Sequence, residues 1–199
     1  MLKTIAYSFI ALVAALLLYA ANKPDTFHVE RSTIIKALPE KIFAVLSDFR
    51  QSESWSPYEK KDPAMKRTIS GPPSGKGAVY EFDGNKEVGT GRLEITDTAS
   101  PSKVVIALDM RKPFEGHNTI EYTLDPKGEF TRVTWSMHGR QPYIGKVMSI
   151  FMDCDKMIGK DFEAGLANLK ALTERQRGES TCIVWRSWAT STMRPPLLK

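Results

Sequence analysis

Cysteine and histidine are both scarce in this chain of 199 residues, with two of the first and three of the second. Cys154 and Cys182 make neither a disulfide framework nor a CxxC metal pair, although a single bridge between them stays open in an oxidising compartment. His28, His117 and His138 lack the spacing that would gather them on one zinc ion. There is no phosphate-binding loop, dinucleotide fingerprint or GxSxG elbow, because the candidate glycines fall in turns between strands. A basic helix or aromatic–basic stripe is also missing, which argues against a nucleic-acid partner. The reading therefore carries no cofactor, no metal and no catalytic residue.

What is present suits one domain with extensions. Apolar residues make up 42% of the chain and the formal net charge is +5. A domain of about 150 residues buries roughly 70% of its unfolded surface, so it needs no metal or disulfide staple. Part of the positive surplus sits near the end of the chain, at Arg175, Arg177, Arg186, Arg194 and Lys199.

The N-terminal stretch Ile5–Ala21 holds no charge and no proline. At about 1.5 Å per residue it is near the lower limit for crossing a hydrocarbon core of about 30 Å. A secretory signal is the alternative, but Leu18 and Tyr19 stand where a cleavage site prefers small residues. Residues 1–24 are thus expected to form a transmembrane anchor or signal segment. The expected location is a bacterial inner membrane with the domain on the periplasmic side, although Lys23, Arg31 and Lys36 pull the other way.

Residues 25–174 read as the domain proper. Phe27, Val29 and Arg31, followed by Ile34 and Ile35, suggest a first strand. Leu38-Pro39-Glu40 opens a helix, since proline at the first position removes an N–H that has no intrahelical partner. Asp48 to Trp55 reads as a second short helix, stopped by Ser56-Pro57. Strands follow in hairpin succession over 78–82, 88–96, 104–110, 119–124 and 130–138, with Asp83-Gly84-Asn85-Lys86 as the strongest turn. Ile144 to Thr173 then reads as one long helix, with a break expected near Asp153 to Asp155. Residues 175–199 show neither period and are expected to be a poorly ordered tail carrying Trp185 and Trp188. An α+β domain follows, with a curved antiparallel sheet wrapped around the C-terminal helix.

Pro39-Glu40 with Phe43, Val45 and Leu46, then Trp55-Ser56-Pro57, resembles the opening of START-like (SRPBCC) proteins. Gly89-Thr90-Gly91-Arg92, Pro113-Phe114, Thr131 to Met137 and Ile158 to Leu166 continue that likeness in order. It is closest to the polyketide cyclase/dehydrase and lipid-transport branch and covers about Phe27 to Glu174. The resemblance implies a helix-grip fold with a ligand cavity between sheet and long helix. It brings no settled catalytic set.

Strand alternation assigns the inner face without the family. Tyr80, Phe82, Leu93, Ile106, Leu108, Met110, Tyr122, Trp135 and Met137 point inward, and Phe151, Ile158 and Phe162 of the helix close the space. These are the expected ligand-binding residues, with the two tyrosine hydroxyls as orienting groups. His28 and His138 fall on the outward phase, and Glu81 and Glu94 stand beside Arg92 and Lys86 as a solvated charge cluster. The expected function is a membrane-tethered module that holds a lipid or other hydrophobic small molecule. The alternatives are a cyclase or hydratase using the same cavity, with Tyr80, Tyr122, Asp48 and His138 as its polar candidates, or a ligand-free interaction domain with a solid core.

Overall fold

The computed structural model describes residues 2–151 and 153–191. Helix α1 spans Leu2–Ala21, and strand β1 follows over Thr26–Ile35. Helix α2 (Pro39–Leu46) starts with proline in its first turn after Leu38, as the sequence implies, and buries Ile42, Val45 and Leu46. A 3-10 turn at Phe49–Gln51 leads into α3 (Ser52–Trp55) and α4 (Pro57–Lys61). Asp48 caps that turn by accepting from the Arg50 N–H.

Six further strands complete one sheet: β2 (Lys66–Ser70), β3 (Val79–Asp83), β4 (Thr90–Ala99), β5 (Lys103–Lys112), β6 (Gly116–Lys127) and β7 (Phe130–Arg140). Their order is β1-β7-β6-β5-β4-β3-β2, and every neighbouring pair is antiparallel. The result is an open α+β sheet with a C-terminal helical segment, which agrees with the expected class. Strand β2 is a correction to the sequence reading. All five of its residues are exposed, so it carries no apolar alternation to detect.

The long helix breaks near Asp153, as the sequence suggests, into α5 (Tyr143–Phe151) and α6 (Cys154–Ser191). Helix α6 buries Phe162, Leu166 and Leu169 and packs on β1 and on the short helices α2 to α4. It runs past the expected boundary at Glu174, so residues 175–191 are helical rather than irregular. The missing apolar stripe did not signal an end, because Arg, Gln and Glu favour helix and the first proline beyond is Pro195. The side chains of Phe151, Cys154, Cys182, Trp185 and Trp188 lie outside the described residues, so the readings placed on them have no structural counterpart.

Helix α1 packs against α5. Ala20 is fully buried there, the Tyr143 hydroxyl donates to the Leu17 carbonyl at 2.8 Å, and the Lys23 ammonium donates to the Ser149 carbonyl and hydroxyl at 3.1 and 3.0 Å. Among the described residues no helix is long and apolar enough to cross a membrane, which corrects the expected transmembrane helix. The uncharged stretch is short for a core of about 30 Å.

Candidate ligand cavity

The inner face of the sheet forms one wall of a cavity of about 270 Å³. Register brings the wall together: Tyr80 pairs with Leu93, Phe82 with Gly91, Tyr122 with Trp135, and Ile120 with Met137. At Gly91 an added Cβ would come within 2.7 Å of Phe82 Cζ and 2.8 Å of the Asp109 carbonyl. Only glycine lets the Phe82 ring lie across β4 there. Tyr80, Phe82, Leu93, Ile106, Leu108, Met110, Tyr122, Trp135 and Met137 all line the space, as does Phe162 from α6.

The opposite wall differs from the expected one. Leu46, Phe49, Trp55, Tyr58 and Glu59, from the helices and turn between residues 39 and 61, line the cavity, and Met65 joins them. Ile158 packs against the core without lining the cavity, and the side chain of Phe151 lies outside the described residues. Helix α5 instead lies beside α1. The sequence reading treated Ser56-Pro57 as a stop, but Pro57 starts α4 and swings Tyr58 and Glu59 onto the cavity. A proline after a serine in extended conformation signals a helix start as readily as an end.

The walls meet through stacked rings. Trp135 lies on Phe162, and Trp55 meets both Tyr122 and Trp135 edge-on. The indole N–H groups of Trp55 and Trp135 are buried and have no hydrogen-bond partner among the described residues.

Glu59 is the charged residue of this unexpected wall. It is only 7% exposed. The Tyr80 hydroxyl donates to its Oε1 at 2.5 Å, and Arg67 Nη1 lies 3.0 Å from its Oε2. That second approach is out of line for a hydrogen bond, so Oε2 has no hydrogen-bond donor among the described residues. Nothing local marks Pro57-Tyr58-Glu59-Lys60-Lys61 as buried, since its burial depends on Tyr80 and Arg67, which are distant in sequence. The Tyr80 phenol is pushed well above its usual value, by burial first and then by its bond to Glu59. Burial likewise raises Tyr58 and Tyr122. All three hydroxyls therefore stay protonated at neutral pH.

The other polar candidates lie elsewhere. Asp48 is held by Arg50, whose hydrogen bond lowers its carboxyl pKa, and it does not line the cavity. His28, His117 and His138 are exposed on the sheet's outer side or rim. Glu81 meets Arg111 and Glu94 meets Arg92, both at the surface. Among the described residues no three metal-ligating side chains come together.

Sheet, grip helix and a mostly apolar hollow define a cavity-bearing helix-grip domain. The family model described as "Polyketide cyclase / dehydrase and lipid transport" matches residues 26–174, and the chain belongs to that family. No curated protein matches it in sequence. Among solved structures, the di-domain ARO/CYC StfQ from the steffimycin biosynthetic pathway superposes with a TM-score of 0.58 at 13% identity. That match covers 77% of this chain and 52% of StfQ. A protein from Chromobacterium violaceum superposes at 0.54 and 15% identity, over 76% of this chain and 99% of its own. One from Mycobacterium smegmatis gives 0.52 at 19%, over 77% and 95%. Identities this low speak for the shared fold alone.

Proposed function

We propose that the domain binds a hydrophobic small molecule or lipid in the cavity between its sheet and its short helices. The observation that carries this reading is the cavity itself, about 270 Å³ and lined mainly by aromatic, aliphatic and methionine side chains. That is near the lower end of the range for small-molecule sites. Burying each ligand CH₂ there contributes about 0.8 kcal/mol, so a short chain or compact ring system can be held without a salt bridge. A packed interior, as a ligand-free interaction domain would have, leaves no such space.

Native mass spectrometry of the full chain, purified gently, tests the reading. The expected spectrum shows an apolar adduct at one per chain. No adduct, together with no uptake of a naphthalene probe by energy transfer from Trp55 and Trp135, would overturn it.

The buried Glu59–Tyr80 pair favours a second reading, a cyclase- or hydratase-type reaction in the same cavity. A carboxylate held by a phenol in the cavity wall is a candidate general base for such a step. Turnover of a bound ligand that is lost in both Glu59→Gln and Tyr80→Phe would support it.

Attachment to a membrane through residues 5–21 belongs to the same proposal, with α1 lying at a lipid surface rather than spanning it. Its support is that Ile5, Phe9, Leu12 and Leu18 are each more than 60% exposed on the uncharged stretch of a helix held to the domain by α5. The periplasmic face of a bacterial inner membrane is the proposed location. Flotation with vesicles of zwitterionic and anionic phospholipid should carry the full chain upward and leave a chain lacking residues 1–21 at the bottom. Equal behaviour of both chains would reject the attachment.

A further inference from the structure

Glu59 is the one charged residue lining the cavity among the described residues, and no cation lines it. We propose that the Glu59–Tyr80 pair selects neutral apolar ligands that carry a hydroxyl or other hydrogen-bond donor, and discriminates against carboxylate-headed ones such as fatty acids. The inference rests on the binding reading above and names the ligand class of that same cavity.

The reasoning follows the protons. A phenol has one, and Tyr80 has committed it to Glu59 Oε1 at 2.5 Å. The Tyr80 oxygen is left with acceptor capacity only. Glu59 is an acceptor at both oxygens, and its Oε2 has no hydrogen-bond donor although Arg67 stands 3.0 Å away. The pair itself can therefore receive a ligand N–H or O–H but cannot supply one.

Arg67 does not reverse this preference. It sits on the edge strand β2, its side chain is partly exposed, and it is not among the lining residues. A carboxylate inside the cavity would thus meet acceptor oxygens whose nearest cation, Arg67, is already paired with Glu59, and no cation lines the wall to pair with it. Ser52, Ser56, Asn118 and the hydroxyls of Tyr58 and Tyr122 can each donate or accept, so they do not discriminate. The indole N–H groups of Trp55 and Trp135 are neutral donors and give a carboxylate no countercharge.

The test compares three probes of matched length on the full chain by titration calorimetry at pH 7.5: 1-decanol, 1-methoxynonane and decanoate. The expected order is decanol tightest, the ether at least threefold weaker and decanoate at least tenfold weaker. Any apolar pocket disfavours an ion to some degree, so Glu59→Gln is the deciding variant. Its amide can donate to a carboxylate, and the gap between decanol and decanoate should shrink to threefold or less through tighter decanoate binding. Tyr80→Phe should keep the gap, because Glu59 remains. Decanoate binding the unaltered chain as well as decanol would overturn the inference while leaving the binding reading intact, and this comparison needs no variant to fold. An unchanged gap in a folded Glu59→Gln chain would also overturn it. If none of the three probes binds, both the inference and the reading beneath it fall.

Discussion

Trp135 of the sheet stacks on Phe162 of the long helix with ring centroids 4.1 Å apart and planes 12° from parallel. Both side chains are almost fully buried. The contact joins the two layers at the cavity wall, so it bears on stability and on cavity shape together. Phe162→Ala should cost about 3–5 kcal/mol, the usual range for truncating a buried aromatic. Urea unfolding is the measurement, with a lower midpoint at unchanged slope expected.

Gly165 stands one turn further along the same helix. A Cβ there would meet Trp135 Cζ3 at 2.6 Å and Pro57 Cδ at 3.1 Å. Two effects oppose each other in Gly165→Ala. Helix propensity favours alanine by about 1 kcal/mol. Overpacking a rigid indole costs about 1–3 kcal/mol. The second should win, and thermal unfolding should show a lower Tm with altered tryptophan fluorescence.

Arg31 on β1 clasps the start of α6, with Nη2 at 2.9 Å from Asp155 Oδ2 and Nε at 3.0 Å from Glu163 Oε1. The hydrogen bond from Arg31 holds the Asp155 carboxyl below its ordinary value of 3.8. A depressed carboxyl stabilises the fold above the unfolded value, and that contribution is lost as pH falls through the folded one. The difference in Tm between the native chain and Arg31→Gln should therefore be constant above about pH 5 and shrink below about pH 4. A difference that stays flat down to pH 2.5 would show that the clasp does not act through this charge.

Burial raises the phenols of Tyr58, Tyr80 and Tyr122 above the ordinary value of 10.0. Their protonated forms favour the folded chain, so stability should fall once pH passes the unfolded value and tyrosines in the unfolded state ionise. In an alkaline titration followed by absorbance at about 295 nm, the tyrosinate signal of these three should appear only together with loss of far-ultraviolet dichroism.

The sheet face of the cavity was legible in the sequence because hairpin succession and a two-residue period left little freedom in which side chains meet. Tyr80, Ile106, Tyr122 and Trp135 all follow from that period. The helical wall was hidden for a different reason. Trp55, Tyr58 and Glu59 sit on helices of four and five residues, too short to show a period. The burial of Glu59 in particular is a property of its distant partners. β2 escaped notice because a strand with no buried face has no pattern. α1 was legible as a helix from its run without charge or proline.

The strand order has a consequence for how the chain is made. From β2 to β7 each strand pairs with the next one in sequence, and these hairpins can form as they emerge. β1 cannot, since Ile35 waits for Thr131 and Thr26 for Arg140. At a synthesis rate of about 5–20 residues per second, β1 spends several seconds without its partner strand, and the greasy helix ahead of it is already outside the ribosome. The N-terminal segment thus meets whatever chaperone or lipid surface is nearby before the domain behind it can close.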